Sequence, residues 1–323
     1  GSRRSYHLHD WIVARWLERH AGSIDLVHAW PLGALETIRV AKKHGIPVVL
    51  ERPNTHTEFA YQAVEDECRR SGLELPEGFE HKFDAKVLEH ELKEYEEADY
   101  LLCPSPFVER TFLERGTSRD RILRHRYGYD GSKVRSGDQH GADDGRGLVM
   151  VYAGLCTPRK GLHHALDAWL KSSASETGRF WICGGFVPGY RELLGEKLEH
   201  PSVEVLGHRN DLPELMRKAD LFVLSTVEEG SALVTYEARG SGCVLLVSTA
   251  SGAVCEHMVD GLEHEIRDVD TLASQISLLD EDRDLLGALR SRSLEGASEL
   301  SWEAAGRRLL EVYEQAIVAN KSD

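Results

Sequence analysis

Short apolar runs alternate with helical segments along most of this chain, and that alternation is the feature that constrains its fold most. Leu148 to Ala153, Phe180 to Cys183, Val203 to Leu206, Leu221 to Leu224 and Val244 to Ser248 are each four to six residues long and rich in Val, Leu and Phe. Runs of that length read as buried strands. Between them lie the helical patterns Leu162 to Lys171, Leu212 to Lys218 and 232–241, and a further helix is expected near Ala253 to Val259. Strand–helix alternation implies a parallel sheet with helices on both faces.

The first half repeats the pattern less completely. Strands are expected at Asp25 to Trp30, Ile46 to Leu50 and Tyr100 to Cys103. Helices are expected at Trp11 to Arg19, Leu32 to His44 and Phe107 to Arg115, with others between Phe59 and Ala98 broken near Gly72 to Gly78. Gly131 to Gly147 is rich in Gly, Asp and Ser without apolar periodicity, and reads as the linker. The division expected is 1–145 and 146–302, with a C-terminal amphipathic helix, about 303–323, returning to the first domain. Its stripe of Leu309, Leu310, Tyr313 and Ile317 needs a surface to cover. Gly1-Ser2 reads as a tag remnant, and only one helix precedes the first strand. The opening β-α units of the N-terminal domain are therefore expected to be missing.

Charge excludes some partners. A net charge of −15 argues against nucleic acid and against general attraction to anionic membranes. No apolar run approaches the ~20 residues of a bilayer span. Peripheral membrane association is left open. Six cysteines without C-x-x-C spacing read as free thiols in a reducing cytoplasm. No H-E-x-x-H occurs, and no metal is expected. His163 and His164, adjacent on a helix, are expected to point apart.

The chemistry concentrates after the strand ending at Leu224. Glu228-Glu229-Gly230-Ser231 forms an acidic turn into the helix that begins at Ala232, with Ser231 as the expected N-cap. Free amides at a helix start favour a phosphate. Glu229 lies in the turn and Glu237, eight residues on, lies two turns into the helix. One anion site flanked by two carboxylates suits a nucleotide-sugar: amides for the diphosphate, carboxylates for hydroxyls. Lys160, 69 residues before Glu229, adds a cation after another strand. Taken alone, Lys160-Gly161 also reads as a solvated helix start, and Gly184-Gly185 as a simple turn.

Taken together these landmarks resemble glycosyltransferase family 4, the retaining sugar transferases of GT-B fold. Gly154-x-x-x-x-Arg159-Lys160-Gly161 resembles the first donor loop, and Gly184-Gly185 follows the next strand. Leu206-Gly207-His208-Arg209 resembles the loop facing the nucleobase. Ala219-Asp220, the Glu-x7-Glu pair, Gly252 and Val259-Asp260-Gly261 follow in order, so the likeness spans roughly residues 99 to 317. Leu155 stands where many members carry Arg, which leaves one phosphate contact to Arg159.

The resemblance implies two Rossmann-like parallel-sheet domains with the cleft between them. It implies a cytoplasmic, metal-independent hexosyltransferase-like enzyme moving a sugar, with retention, from a UDP- or GDP-sugar to an unknown hydroxyl acceptor. Glu229 and Lys160 would be catalytic. Gly154, Arg159, His208, Arg209, Gly230, Ser231, Ala232, Leu233 and Glu237 would hold the donor, Glu229 on sugar hydroxyls and Glu237 on the ribose. His28, Arg52, Asn54 and His56, at strand ends of the first half, would lie near the acceptor. Trp30 replaces the second histidine of the family's His-x-His. The rival readings are a GT-B epimerase, for which no motif supplies the base, and a donor-binding module without turnover.

Overall fold

The structure, a computed structural model, describes residues 3–134 and 147–320. Most of the expected linker, 135–146, lies outside the described residues. The chain divides into two compact units, one of residues 1–61, 83–126 and 305–323 and the other of 62–82 and 127–304.

In the first unit, α1 (Arg3–His20), β1 (Val27–Ala29), α2 (Leu35–Lys43), β2 (Val48–Glu51) and the start of α3 (Thr57–Ser71) come in order. Then follow α4 (Ala85–Glu97), β3 (Tyr100–Cys103), α5 (Pro106–Leu113) and β4 (Ile122–Arg124), a strand that periodicity did not reveal. The four strands pair in parallel in chain order. Ile38, Val48, Leu50, Leu101, Val108 and Phe112 fill one face of the sheet. Asp84 caps α4 by accepting from the amides of Lys86 and Val87, and Ser105 caps α5 through Val108.

The second unit holds β5 (Val149–Ala153), α6 (Leu162–Lys171), β6 (Arg179–Cys183), α7 (Tyr190–Leu194), β7 (Val203–Val205) and α8 (Leu212–Lys218). It continues with β8 (Leu221–Leu224), α9 (Leu233–Gly240), β9 (Val244–Ser248), β10 (Gly261–His264), α10 (Val269–Glu281) and α11 (Arg283–Glu295). Its strands run β10-β9-β8-β5-β6-β7, all parallel. Tyr152, Trp169, Phe180 and Phe222 are fully buried in its core. In α12 (Trp302–Asn320), Val312 and Ala316 pack on Val49 and Leu102 of the first unit.

Two expectations are corrected. Residues 62–82 belong with the second unit, because Leu73 and Phe79 pack against its core. No helix forms at 253–259. Asp260 takes the amide of Glu256 at 2.7 Å and is paired by Arg239, while Arg239 donates to the carbonyl of Val254 at 2.7 Å. Side-chain hydrogen bonds replace the helical ladder there, and Met258 sits at φ 62°.

Candidate functional site

Strand order places the site. From β5 the chain moves to β6 and β7 on one side of the sheet, then returns to β8 on the other side of β5. The carboxyl ends of β5 and β8 therefore border the point where the winding reverses, where open α/β sheets bind ligands. The two loops that leave those ends are residues 154–161 and 225–232.

Backbone bonds fasten these loops together. The amide of Val227 and the hydroxyl of Thr226 both donate to the carbonyl of Arg159, at 2.9 and 2.8 Å. Gly161, at φ 67°, makes the approach possible, since a Cβ there would stand 1.9 Å from the carbonyl oxygen of Ser225. Only glycine fits that backbone.

On this frame the charges converge. Arg159 Nη1 lies 3.0 Å from Glu228 Oε2 and 3.1 Å from Glu229 Oε1, and it donates to the Glu228 carbonyl at 2.9 Å. Lys160 Nζ also pairs with Glu229 Oε1. Burial would push the Glu229 carboxyl up, but Arg159 and Lys160 outweigh it and hold it below the usual range. Arg159 is itself held more firmly charged than usual: burial opposes this, and Glu229 and Glu228 prevail. His81, buried beside Glu228 Oε2 at 3.6 Å, is pushed down by burial and by Arg159, which favours the neutral ring. His81 joins the cluster from 147 positions before Glu228, with no sequence signal beforehand. Glu228, by contrast, was visible as half of an acidic doublet.

The turn into α9 departs from expectation. The N-cap is Ala232, without a side-chain cap. The Ser231 hydroxyl instead bonds Tyr236 Oη at 2.8 Å and the carbonyl of Gly252 at 2.9 Å. The Ala232 amide donates to the carbonyl of Ser251 at 3.2 Å, so it is not offered to an anion. The amides of Leu233 and Val234 have no hydrogen-bond partner among the described residues, which leaves them as the donors of this helix start. Glu237 is half-buried, and burial raises its carboxyl pKa. Gly154 sits at φ 149° directly after β5. His208 and Arg209, both exposed, follow Gly207 at φ 68° beyond β7, and Arg209 forks onto Asp211 at 2.8 and 2.6 Å.

Residues 147–282 match the family model described as Glycosyl transferases group 1. The second unit carries a group 1 glycosyltransferase domain. An N,N'-diacetylbacillosaminyl-diphospho-undecaprenol α-1,3-N-acetylgalactosaminyltransferase of Campylobacter jejuni is 32% identical over 138 residues, 39% of this chain and 37% of that enzyme. A D-inositol 3-phosphate glycosyltransferase of Nocardia farcinica is 26% identical over 322 residues, 92% of this chain and 67% of that enzyme. The match thus spans little more than a third of the Campylobacter enzyme. Among solved structures, HepE of Anabaena in complex with UDP superposes with a TM-score of 0.71 at 18% identity, covering 94% of this chain and 82% of its own. Sucrose-phosphate synthase of Thermosynechococcus elongatus gives 0.70 at 18%, covering 97% and 79%. The fold is that of the GT-B glycosyltransferases.

The loops after β5 and β8 of this glycosyltransferase domain bring together Lys160, Arg159, Glu228 and Glu229. The residues proposed near an acceptor, all in the first unit, are not alike. His28 is half-buried, with Nδ1 2.5 Å from Tyr313 Oη and Nε2 3.2 Å from Glu51. Asn54 is half-buried. Arg52 and His56, expected near the acceptor at a strand end, are instead buried and turn inward. Arg52 is 2% exposed, 3.3 Å from Glu91 and 4.4 Å above the Tyr95 ring. His56 packs against Tyr95 and Phe112 and is pushed down to about 3, by burial first and then by Arg115 and Arg52.

Proposed function

We propose that this protein is a retaining glycosyltransferase that moves a sugar from a nucleotide-diphosphate sugar, UDP-linked in the first instance, to a hydroxyl acceptor. The observation that carries the reading is the Lys160–Glu229–Arg159 cluster at the switch point of a group 1 glycosyltransferase domain. Structural neighbours solved with UDP, with UDP and glucose, and with UDP-glucose support the choice of donor.

The chemistry follows from the charges. As the glycosidic bond breaks, negative charge grows on the diphosphate. Lys160 stabilises it, with Arg159 and the amides of Leu233 and Val234 completing the anion site. A diphosphate entering here competes with Glu229 for Lys160. Glu229, released in part, turns its acceptor oxygens to the sugar hydroxyls, and Glu237 takes the ribose. His208 and Arg209 serve the base. With retention, the acceptor approaches on the face of the departing phosphate, and a diphosphate oxygen takes its proton. No protein nucleophile is required. Among the described residues no helix is long and apolar enough to cross a membrane, and the six cysteines are unpaired. Both fit a reaction at a cytoplasmic site.

A panel of UDP-, GDP- and ADP-sugars scored by thermal shift, followed by the anomeric configuration of any product by NMR, tests the reading. A shift with one UDP-sugar and an axially linked product from an axial donor supports it. An inverted product overturns retention, and no response to any nucleotide overturns the donor assignment.

A further inference from the structure

The second unit holds a polar cluster that the donor chemistry does not use. Glu67 of α3 is 1% exposed, and its Oε1 lies 2.8 Å from both His163 Nε2 and His164 Nε2. The two imidazoles, adjacent in sequence, were expected to point apart. They instead lie with ring centroids 3.8 Å apart and planes tilted by 42°, and converge on one oxygen, in the first turn of α6. Arg267 Nε holds the other oxygen, Oε2.

His163 is oriented from behind. The Tyr190 hydroxyl accepts the amide N–H of His163 at 3.1 Å and lies 2.7 Å from its Nδ1. The Glu67 carboxylate only accepts, so the imidazole proton sits on Nε2, facing it, and the Tyr190 hydroxyl donates its own proton to Nδ1. The two imidazole nitrogens and the carboxylate oxygen all lie within 4.8 Å of one another.

We propose that Glu67, His163 and His164 bind a divalent transition-metal ion of the zinc type, with water completing the coordination. Two imidazoles and a carboxylate are the donor set that such ions take. Bonds of about 2.0–2.1 Å set neighbouring ligands of a tetrahedral ion about 3.3 Å apart. The present 2.8 Å contacts open to that spacing by about half an ångström. His163 would ligate as the neutral imidazole. On binding, its proton moves to Nδ1 and is donated to Tyr190 Oη, the outer hydrogen bond that metal-bound histidines keep. Arg267 leaves Glu67 one oxygen to offer, so the carboxylate binds through Oε1 alone. The ion would pin the first turn of α6, which begins just after Lys160 and Gly161.

Chelator-treated protein titrated with Co²⁺, followed by visible absorption, reads the site without reference to turnover. One equivalent with the intense bands of a four-coordinate ion is expected, together with a rise in melting temperature on adding Zn²⁺. Glu67→Gln and His164→Asn should each weaken the titration at least tenfold. His164→Asn leaves the Glu67–Arg267 pair in place, so its circular dichroism should match wild type even if Glu67→Gln folds poorly. A wild-type titration that shows no saturable band, or one that His164→Asn leaves unchanged, overturns the site.

Discussion

Val227 donates its amide hydrogen to the carbonyl of Arg159 across 2.9 Å. This bond couples the loop after β8 to the loop after β5. It places the Arg159 guanidinium between two carboxylates, Glu228 and Glu229. The positions of the site's cations are therefore set by main chain as much as by side-chain pairing.

Lys160→Ala should weaken nucleotide diphosphate binding about 10- to 150-fold, the equivalent of losing one charge-assisted bond of about 1.5–3 kcal/mol. It should also lower the melting temperature, because Glu229 is left buried with Arg159 as its one remaining ion-pair partner among the described residues. Adding Glu229→Gln should restore part of the stability, and of the affinity only the share that Arg159, freed of Glu229, supplies. Calorimetry at moderate salt and thermal melts of the three proteins check this, and unchanged affinity in Lys160→Ala removes the lysine from the site.

The two carboxylates of the Glu-x7-Glu pair should behave differently. Glu229→Gln frees Lys160 and Arg159 from competition, so bare nucleotide diphosphate should bind as well or better while turnover falls. Glu237→Gln should weaken bare nucleotide diphosphate by about 1.5–3 kcal/mol. Titrating diphosphate and intact donor into each variant separates the roles, and equal losses of diphosphate affinity would contradict the division.

The ribose contact proposed for Glu237 needs its carboxylate ionised. Burial raises its pKa, so the ionised form appears later in a titration than for a free glutamate. Nucleotide affinity should accordingly rise with pH through that elevated value, and the rise should vanish in Glu237→Gln. Isothermal titrations from acid to neutral pH give the answer.

His56 should make the fold sensitive to acid. Its pKa falls from an ordinary 6.5 to about 3 in the folded state, so the unfolded chain binds its proton first. Stability is then full above 6.5 and declines as pH falls toward 3, by about 1.4 kcal/mol per pH unit while one proton separates the states. His56→Phe should flatten the slope of unfolding free energy against pH by about one proton between pH 6 and 4. Denaturant melts of both proteins across that range measure it, and parallel slopes would refute the assignment.

Gly161→Ala should be among the most damaging single-methyl additions. The new carbon meets the Ser225 carbonyl at 1.9 Å, on a backbone that disfavours any side chain. A loss of roughly 2 kcal/mol or more is expected. A melting temperature like that of wild type would show that the loops can part without penalty.

Much of the second unit was legible because its strands are buried on both faces. Runs such as Leu221–Leu224 and Val244–Ser248 carry no alternation to misread. Strands β4 and β10 escaped notice: Ile122-Leu-Arg is too short, and Gly261-Leu-Glu-His too polar, for periodicity to register. Lys160, Glu229 and Glu237 could be proposed because the elements before them could be placed. His81 was not, because its place beside Glu228 depends on how a loop following α3 folds over distant sequence. The error at Arg52 and His56 has a different origin: spacing marks the end of a strand but not which way a side chain turns. Tyr95 and Phe112, far along the chain, supply the aromatic walls that draw both inward.

The reversal of winding at β5 also has a consequence for how this fold diversifies. The proposed grip on the diphosphate rests on β5 and β8, which are adjacent and tied by main chain, whereas Gly207, His208 and Arg209 follow β7, the far edge strand. Selectivity for the base can therefore drift by replacing edge loops while the anion hold stays intact. A library confined to 206–211 would explore new donors at little cost to folding, and one confined to 225–232 would mostly yield proteins that no longer fold.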